Sequence, residues 1–278
     1  MKFDEMRVVL TGATGGIGRD IARELAARGA SLLLVGRSGD TLADLDRELR
    51  MNGAAVSHVV ADIGENQGIA RVLEAATAMP GGAANVLVNN AGINEFGVFA
   101  TQRPSDIAAV MTTNVVAPML LTHALLPLLN VQDEAIVMNV GSILGSIGLP
   151  GQVAYSASKF GLHGFSEALR RETQGTSINV LYVAPRATNT EMNNAEMRNF
   201  NKATGTASDD PTDVAQCVVS TLGAQRSERF IGWPERLFVK LNALFPSLVD
   251  RSMRKPAQLV NEGASHSENL KLPNGVTP

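Results

Sequence analysis

The chain has 278 residues, 45% of them hydrophobic and 18% charged, enough to bury a sizeable core in one domain or two small ones. A formal net charge of −3 carries no basic footprint for nucleic acid. The single cysteine, Cys217, excludes an internal disulfide, and MKFDEM leads into only three apolar residues, so no signal peptide and a cytoplasmic protein are expected.

In chain order, RVVLT (7–11) reads as a first strand and runs straight into TGATGGIG (11–18). Ile17, Ile21 and Leu25 then share one helical face until Gly29. SLLLVG (31–36) is a second strand, and Leu42, Leu45 and Leu49 line a second helix that stops at Gly53. Further strands are expected at 56–61, 85–89, 135–141 and 177–184, each an apolar run of the kind covered on both faces. Strand–helix alternation at this spacing predicts a single Rossmann-type, doubly wound parallel sheet with helices on both faces. Right-handed crossovers then gather the glycine loop and the later strand ends on one carboxyl edge.

Four other segments stand out. Residues 107–132 carry no charged side chain, but the densest part, VVAPMLLTHALLPLL, has 15 residues where a span needs about 20. A helix covered by sheet on one side and a partner subunit on the other is expected instead of a transmembrane span. Residues 186–210 are polar, Asn-rich and long for a connection, which suggests a mobile lid. In 235–253, Leu237, Phe238, Leu241, Leu244, Phe245, Leu248 and Val249 share a helical face interrupted by Pro246. That face suits docking on the core, a lipophilic pocket wall or contact with a membrane surface. After residue 255 the chain turns polar, so residues 1–255 are expected to form the domain and 256–278 a disordered tail.

A strand running into glycines and then a helix is the setting of a dinucleotide-binding turn. The helix-start N–H groups there can meet a pyrophosphate. Four glycines leave two readings, with Gly12, Gly16 and Gly18 or with Gly12, Gly15 and Gly18 as the motif set. The second strand ends in Gly36-Arg37, without the acid that would hold a free ribose diol. Arg37 is suited to a 2′-phosphate, and the alternative is a solvated arginine at a strand end.

These residues, with Asp62, NNAG at 89–92, Asn114 in TTNV, Ser142 in NVGS and YSASK at 155–159, resemble the short-chain dehydrogenase/reductase family over about residues 5–232. NNAG and the modest length match its short, non-extended branch, which makes Gly12, Gly16 and Gly18 the motif glycines. The resemblance implies catalytic residues Asn114, Ser142, Tyr155 and Lys159. It further implies a cofactor site of Gly12, Thr14, Gly15, Gly16, Ile17 and Gly18 with Arg37, Asp62, Asn89, Ala91, Tyr155, Lys159 and Thr190. The cofactor expected is NADP(H) in preference to NAD(H). The family's usual glycine after the sixth strand is here Arg186, which either restricts the loop or offers a cation to an anionic substrate.

Tyr155 and Lys159 lie one helical turn apart, so they share a face. The ammonium and the nicotinamide charge are expected to lower the tyrosine from its ordinary pKa of about 10, and Ser142 to hydrogen-bond the reacting oxygen. By resemblance, Lys159 also holds the nicotinamide ribose and Asn114 organises a proton-relaying water. His58, His123 and His163 have no partners at metal-ligand spacing, so no metal site is expected. The expected activity is interconversion of a carbonyl and an alcohol, with NADPH reducing a lipophilic or acyl-type ketone or aldehyde. The rivals are a catalytically silent NADP(H)-binding regulator and an epimerase or dehydratase. A small-molecule substrate and a homodimer or homotetramer are the expected partners.

Overall fold

In the computed structural model, which describes residues 1–266, strands and helices alternate from the first apolar run onward. They are β1 (Arg7–Thr11), α1 (Gly16–Ala27), β2 (Ser31–Gly36), α2 (Gly39–Met51), β3 (Val56–Val60), α3 (Asn66–Thr77) and β4 (Val86–Asn89). Next come α4 (Pro104–Met111), α5 (Ala117–Asn130), β5 (Ala135–Val140), α6 (Val153–Glu172) and β6 (Ile178–Ala184). The last are α7 (Ala195–Thr204), α8 (Pro211–Gly223), β7 (Glu228–Phe230), α9 (Glu235–Leu244), α10 (Pro246–Ser252) and α11 (Arg254–His266). All strands pair in parallel, in the order β3-β2-β1-β4-β5-β6-β7. The order reverses between β1 and β4, and that switch point opens the ligand crevice of such sheets.

The unalternating strands have a simple cause: the sheet carries a core on each face. Val8 and Leu10 of β1 face the side covered by α1, α2 and α8, while Val9 faces the side of α3 and α5. Each such buried side chain stabilises the fold by about 1.5–3 kcal/mol. One expected strand departs from the pattern. β3 is an edge, with Val56 buried but His58 and Val60 exposed, so its apolar run is not covered on both faces.

The uncharged segment forms one continuous helix over Pro104–Asn130, long and apolar enough to cross a membrane by length and composition. Yet 44% of its most apolar window is buried in the fold, where Leu121, Leu125 and Leu129 are fully covered. Val116, Met119 and Leu120 lie exposed. A π-helical turn at Thr112–Val116 interrupts its α-helical hydrogen bonding.

One expectation for the C-terminal part is corrected, that of a disordered tail from residue 256. The 186–210 segment holds α7, and its ends are joined through Asn189 N to Asp209 O (2.9 Å) and Asp209 N to Ala187 O (2.8 Å). The segment after residue 255 is not disordered throughout. Through residue 266 it continues as α11, whose Leu259 and Val260 pack with Met197 and Phe200 of α7. Apolar contact across two helices holds it, a feature its polar composition conceals. The remaining tail, 267–278, lies outside the described residues.

Candidate active site

The carboxyl edge opens into a cleft of about 1070 Å³. Its floor is the turn from β1 into α1. Gly12 has φ +63°, a conformation glycine adopts at no steric cost. A Cβ on Gly18 would lie 2.0 Å from the Gly12 carbonyl oxygen, and one on Gly16 would lie 2.7 Å from Thr190 Cγ2. At Gly15 the nearest atom would be 3.4 Å away. Close packing therefore demands glycine at 12, 16 and 18 and leaves 15 free, as the short-branch spacing implies. Gly15 is also the N-cap of α1 and brings no side chain to the first-turn N–H groups. Such a cradle fits a pyrophosphate, and Thr14, Ile17, Arg37, Asp62, Ala91 and Thr190 line the same cleft.

NNAG divides differently from expectation. Asn89 ends β4 facing the core. It is 2% exposed, and its Nδ2 donates to Thr122 Oγ1 (3.1 Å) and Asn139 Oδ1 (2.8 Å), so it does not line the cleft. Neighbouring strand residues point to opposite faces, so the cleft residue is Asn90. Its Nδ2 donates to the Thr11 and Gly12 carbonyls at 3.1 and 3.2 Å, and Thr11 Oγ1 accepts from the Asn90 and Ala91 amides at 3.0 and 3.1 Å. Thr11 and Asn90 thus tie the glycine loop to β4. Both sit inside the quoted motifs, and strand alternation was the signal that marked them. Asp62 Oδ1 accepts from the Gly64 amide at 2.9 Å. A Cβ on Gly68 of α3 would fall 1.8 Å from the Asp62 carbonyl oxygen, so that glycine sets how closely α3 approaches Asp62.

The opposite wall holds Ser142, Tyr155 and Lys159. α6 presents Tyr155 and Lys159 on one face, with Lys159 Nζ 5.7 Å from the tyrosine ring centre. Nζ donates to the Val140 carbonyl at 3.1 Å, and burial lowers the lysine to about 8. Burial pushes Tyr155 up to about 12, against a hydrogen bond with the Ser142 side chain that works the other way. The expected lowering of Tyr155 is therefore not seen in the protein alone. Removal of the phenol from water outweighs the Ser142 hydrogen bond, so the Tyr155 hydroxyl holds its proton. Ser142 follows β5, and its Oγ also accepts from Leu144 N at 3.1 Å.

Asn114 lies in the π-turn, fully buried. Its Oδ1 accepts from Ile93 N (2.9 Å), and its Nδ2 donates to Ile93 O (2.9 Å) and Ser158 Oγ (3.0 Å). The side chain is committed to fastening the Gly92-Ile93 loop against α6, and π-turns often mark functional positions of this kind.

Behind Ser142 stands Tyr182 of β6, fully buried, its ring against Gly141 and Gly145. Its hydroxyl accepts from Ser142 N at 3.4 Å and donates to Ser142 O at 3.3 Å. The ring of His163 stacks on it at 4.4 Å, and His163 Nε2 meets Glu228 Oε1 at 2.7 Å. Sequence reading missed this support because nothing in the order of residues places β6, α6 and β7 side by side. His58 pairs with Asp46 at 3.1 Å, and no group of metal-ligating side chains occurs among the described residues.

Arg186 is not a free cation. Its guanidinium donates to Asp209 Oδ1 at 2.9 and 2.5 Å and to Glu235 Oε1 at 3.2 Å, which raises it above its ordinary value. It fastens the loop after β6 to the starts of α8 and α9, which is the restricting role. Arg37 is exposed, with no ion pair among the described residues.

Known proteins resemble this chain in sequence and in fold. Dehydrogenase/reductase SDR family member 7B of Bos taurus is 34% identical over 90% of this chain and 81% of its own length. Ketoacyl reductase HetN of Nostoc is 30% identical over 89% of this chain and 88% of its own. A short chain dehydrogenase/reductase from Burkholderia phymatum, solved with NAD, shares the fold at a TM-score of 0.80 and 22% identity, over 99% of this chain and 100% of its own. A family model described as short chain dehydrogenase matches residues 6–200, and the chain belongs to that family.

Proposed function

We propose that this oxidoreductase is a carbonyl reductase that uses NADPH to convert a lipophilic or acyl-type ketone or aldehyde to its alcohol. The observation that carries the reading is the meeting of Ser142, Tyr155 and Lys159 across one cleft from the glycine turn. The nicotinamide, when bound, supplies the hydride. Tyr155 holds its proton at neutral pH and donates it from Oη to the carbonyl oxygen. Ser142 shares the hydrogen bond to that oxygen, Lys159 stands beside the phenol and would hold the ribose of the bound cofactor, and Asn114 positions the loop that faces Lys159. The catalytic set argues against a silent binder, which has no need of a proton donor in the cleft.

Lipophilic chemistry is supported by the far end of the cleft, where Leu144, Ile147, Met192, Phe200, Phe238 and Met253 form the lining. The acyl-type reading draws on the name of the Nostoc relative. NADPH is supported by Arg37 and by the lack of an acid after β2. The exposed Val116 at the end of the π-turn, Met119 and Leu120 of α5, and Val153 and Phe160 of α6 support a homo-oligomer. The test is a ketone and aldehyde panel with NADPH. Tyr155→Phe should abolish turnover with cofactor affinity changed only a few-fold, and Lys159→Ala should damage both. Retention of more than about a tenth of kcat in Tyr155→Phe, a loss of less than roughly 1.4 kcal/mol, would overturn the mechanism.

A further inference from the structure

The helices at the cleft mouth present an unusual surface. Along Trp233–Leu248, six large apolar side chains lie open to solvent: Trp233 (72%), Leu237, Phe238, Leu244 (71%), Phe245 and Leu248. The opposite side of the same helices is anchored, since Val239, Leu241 and Val249 pack with Ile143 and Ile147. The segment is therefore fixed by one face and unpartnered on the other. Its charges are equally one-sided. Arg236, Lys240, Arg251, Arg254 and Lys255 are exposed and make no ion pair among the described residues. Of the two acids in 233–256, Glu235 is engaged by Arg186, which leaves Asp250. This cationic run belongs to a chain whose formal net charge is −3.

We infer that α9 and α10 form a docking surface for an anionic lipid bilayer. Apolar side chains next to unpaired cations are what an interface of acyl chains and anionic headgroups recognises. A second copy of the chain meeting the same patch about a two-fold axis would bring like charges together. Phe238, Val249 and Met253 also line the cleft, so docking sets its mouth against the membrane. A lipophilic substrate would then enter without crossing water. That last consequence rests on the lipophilic reading of the cleft, whereas the docking itself does not.

The test is flotation of the full chain with vesicles of phosphatidylcholine alone or mixed with phosphatidylserine, at low and high salt. Binding to the mixed vesicles, weakened by salt, is expected. Each cation near such a surface contributes about fivefold, so Lys240→Gln with Lys255→Gln should weaken binding by about 25-fold. Leu244→Glu with Leu248→Glu should abolish it with the thermal unfolding midpoint unchanged. Neither residue lines the cleft, so failure of reductase activity in the unmodified chain would leave this result intact. Absence of binding to the mixed vesicles, or binding that none of these changes affects, overturns the inference. So does a fall in oligomer size in the Glu variants, which would make the patch a contact between copies. Retention on a polyglutamate column without vesicle binding would assign it to an acidic protein and equally overturn it.

Discussion

Replacing Arg37 by alanine tests the cofactor assignment with little collateral damage. The side chain is exposed and makes no ion pair among the described residues, so its removal should leave stability within about 0.5 kcal/mol. A hydrogen bond to a charged group contributes about 1.5–3 kcal/mol. Solvent around Arg37 places the 2′-phosphate contact at the low end, so NADPH should bind about 10-fold more weakly while NADH is unchanged. The converse change is also open. A Cβ on Gly36 would lie 3.5 Å from Leu42 Cδ2 and Thr14 Oγ1, ordinary contact, so Gly36→Asp should fold and shift preference towards NADH. Gly15 has similar room, with its nearest atom at 3.4 Å, and Gly15→Arg should strengthen NADPH binding by adding a second cation. The assay is fluorescence titration of both reduced cofactors at several salt concentrations, with the NADPH advantage falling as salt rises. Equal binding of the two by the unmodified protein would refute the reasoning, as would an Arg37→Ala variant that loses both alike.

Gly68→Ala places a methyl group 1.8 Å from the Asp62 carbonyl in a tight helix–loop contact, and should lower the unfolding midpoint and cofactor affinity together. A calorimetric scan with and without cofactor would show it. Glu228→Gln should act through pH. The hydrogen bond that His163 donates to Glu228 raises the histidine, so its contribution is present below the ordinary value of 6.5 and is lost as pH rises through the raised one. The same bond lowers Glu228, whose contribution is present above 4.5 and is lost as pH falls through the lowered value. The variant should therefore lose most stability between these ordinary values, by about 0.5 kcal/mol for so exposed a pair, and least at alkaline pH. Equal loss at all pH values in thermal melts would remove the pairing argument. Phe160→Glu should convert the protein to a monomer in light scattering, and a native protein already monomeric at micromolar concentration would end the oligomer proposal.

Five of the six expected strands were legible because sheets covered on both faces require continuous apolar runs, the edge strand β3 being apolar without that cover, and the glycine turn was legible because backbone contact allows nothing larger. What escaped depended on neighbours distant in the chain. Glu228-Arg229-Phe230 is too short and polar to read as a strand, yet it pairs with Tyr182–Ala184 at the sheet edge. α11 carries one apolar pair, Leu259 and Val260, among polar residues, and only α7 reveals its purpose. Asn89 was assigned to the cleft from its motif, whereas its orientation at the end of β4 turns it to the core. Tyr155 and Lys159 were correctly paired by spacing, but spacing says nothing about burial, and burial decides their protonation. TTNVV bears no mark of the π-turn that carries Asn114 inward.

The ring of Tyr182 behind Ser142 has a consequence for how this chain can change over time. A Cβ on Gly141 would stand 2.2 Å from the Tyr182 hydroxyl oxygen, and one on Gly145 would stand 2.5 Å from it. Side chains at 141 or 145 and a tyrosine at 182 are therefore mutually exclusive, although 182 is far from both in the sequence. Across descendants positions 141 and 182 should drift as one unit, with any larger residue at 141 appearing only where 182 has already become small, whereas at 145 the Lys159 carbonyl oxygen, 2.7 Å from a Cβ, keeps glycine in place. Alanine at Gly141 alone should damage the site, and the same change made with Tyr182→Ala should be far better tolerated.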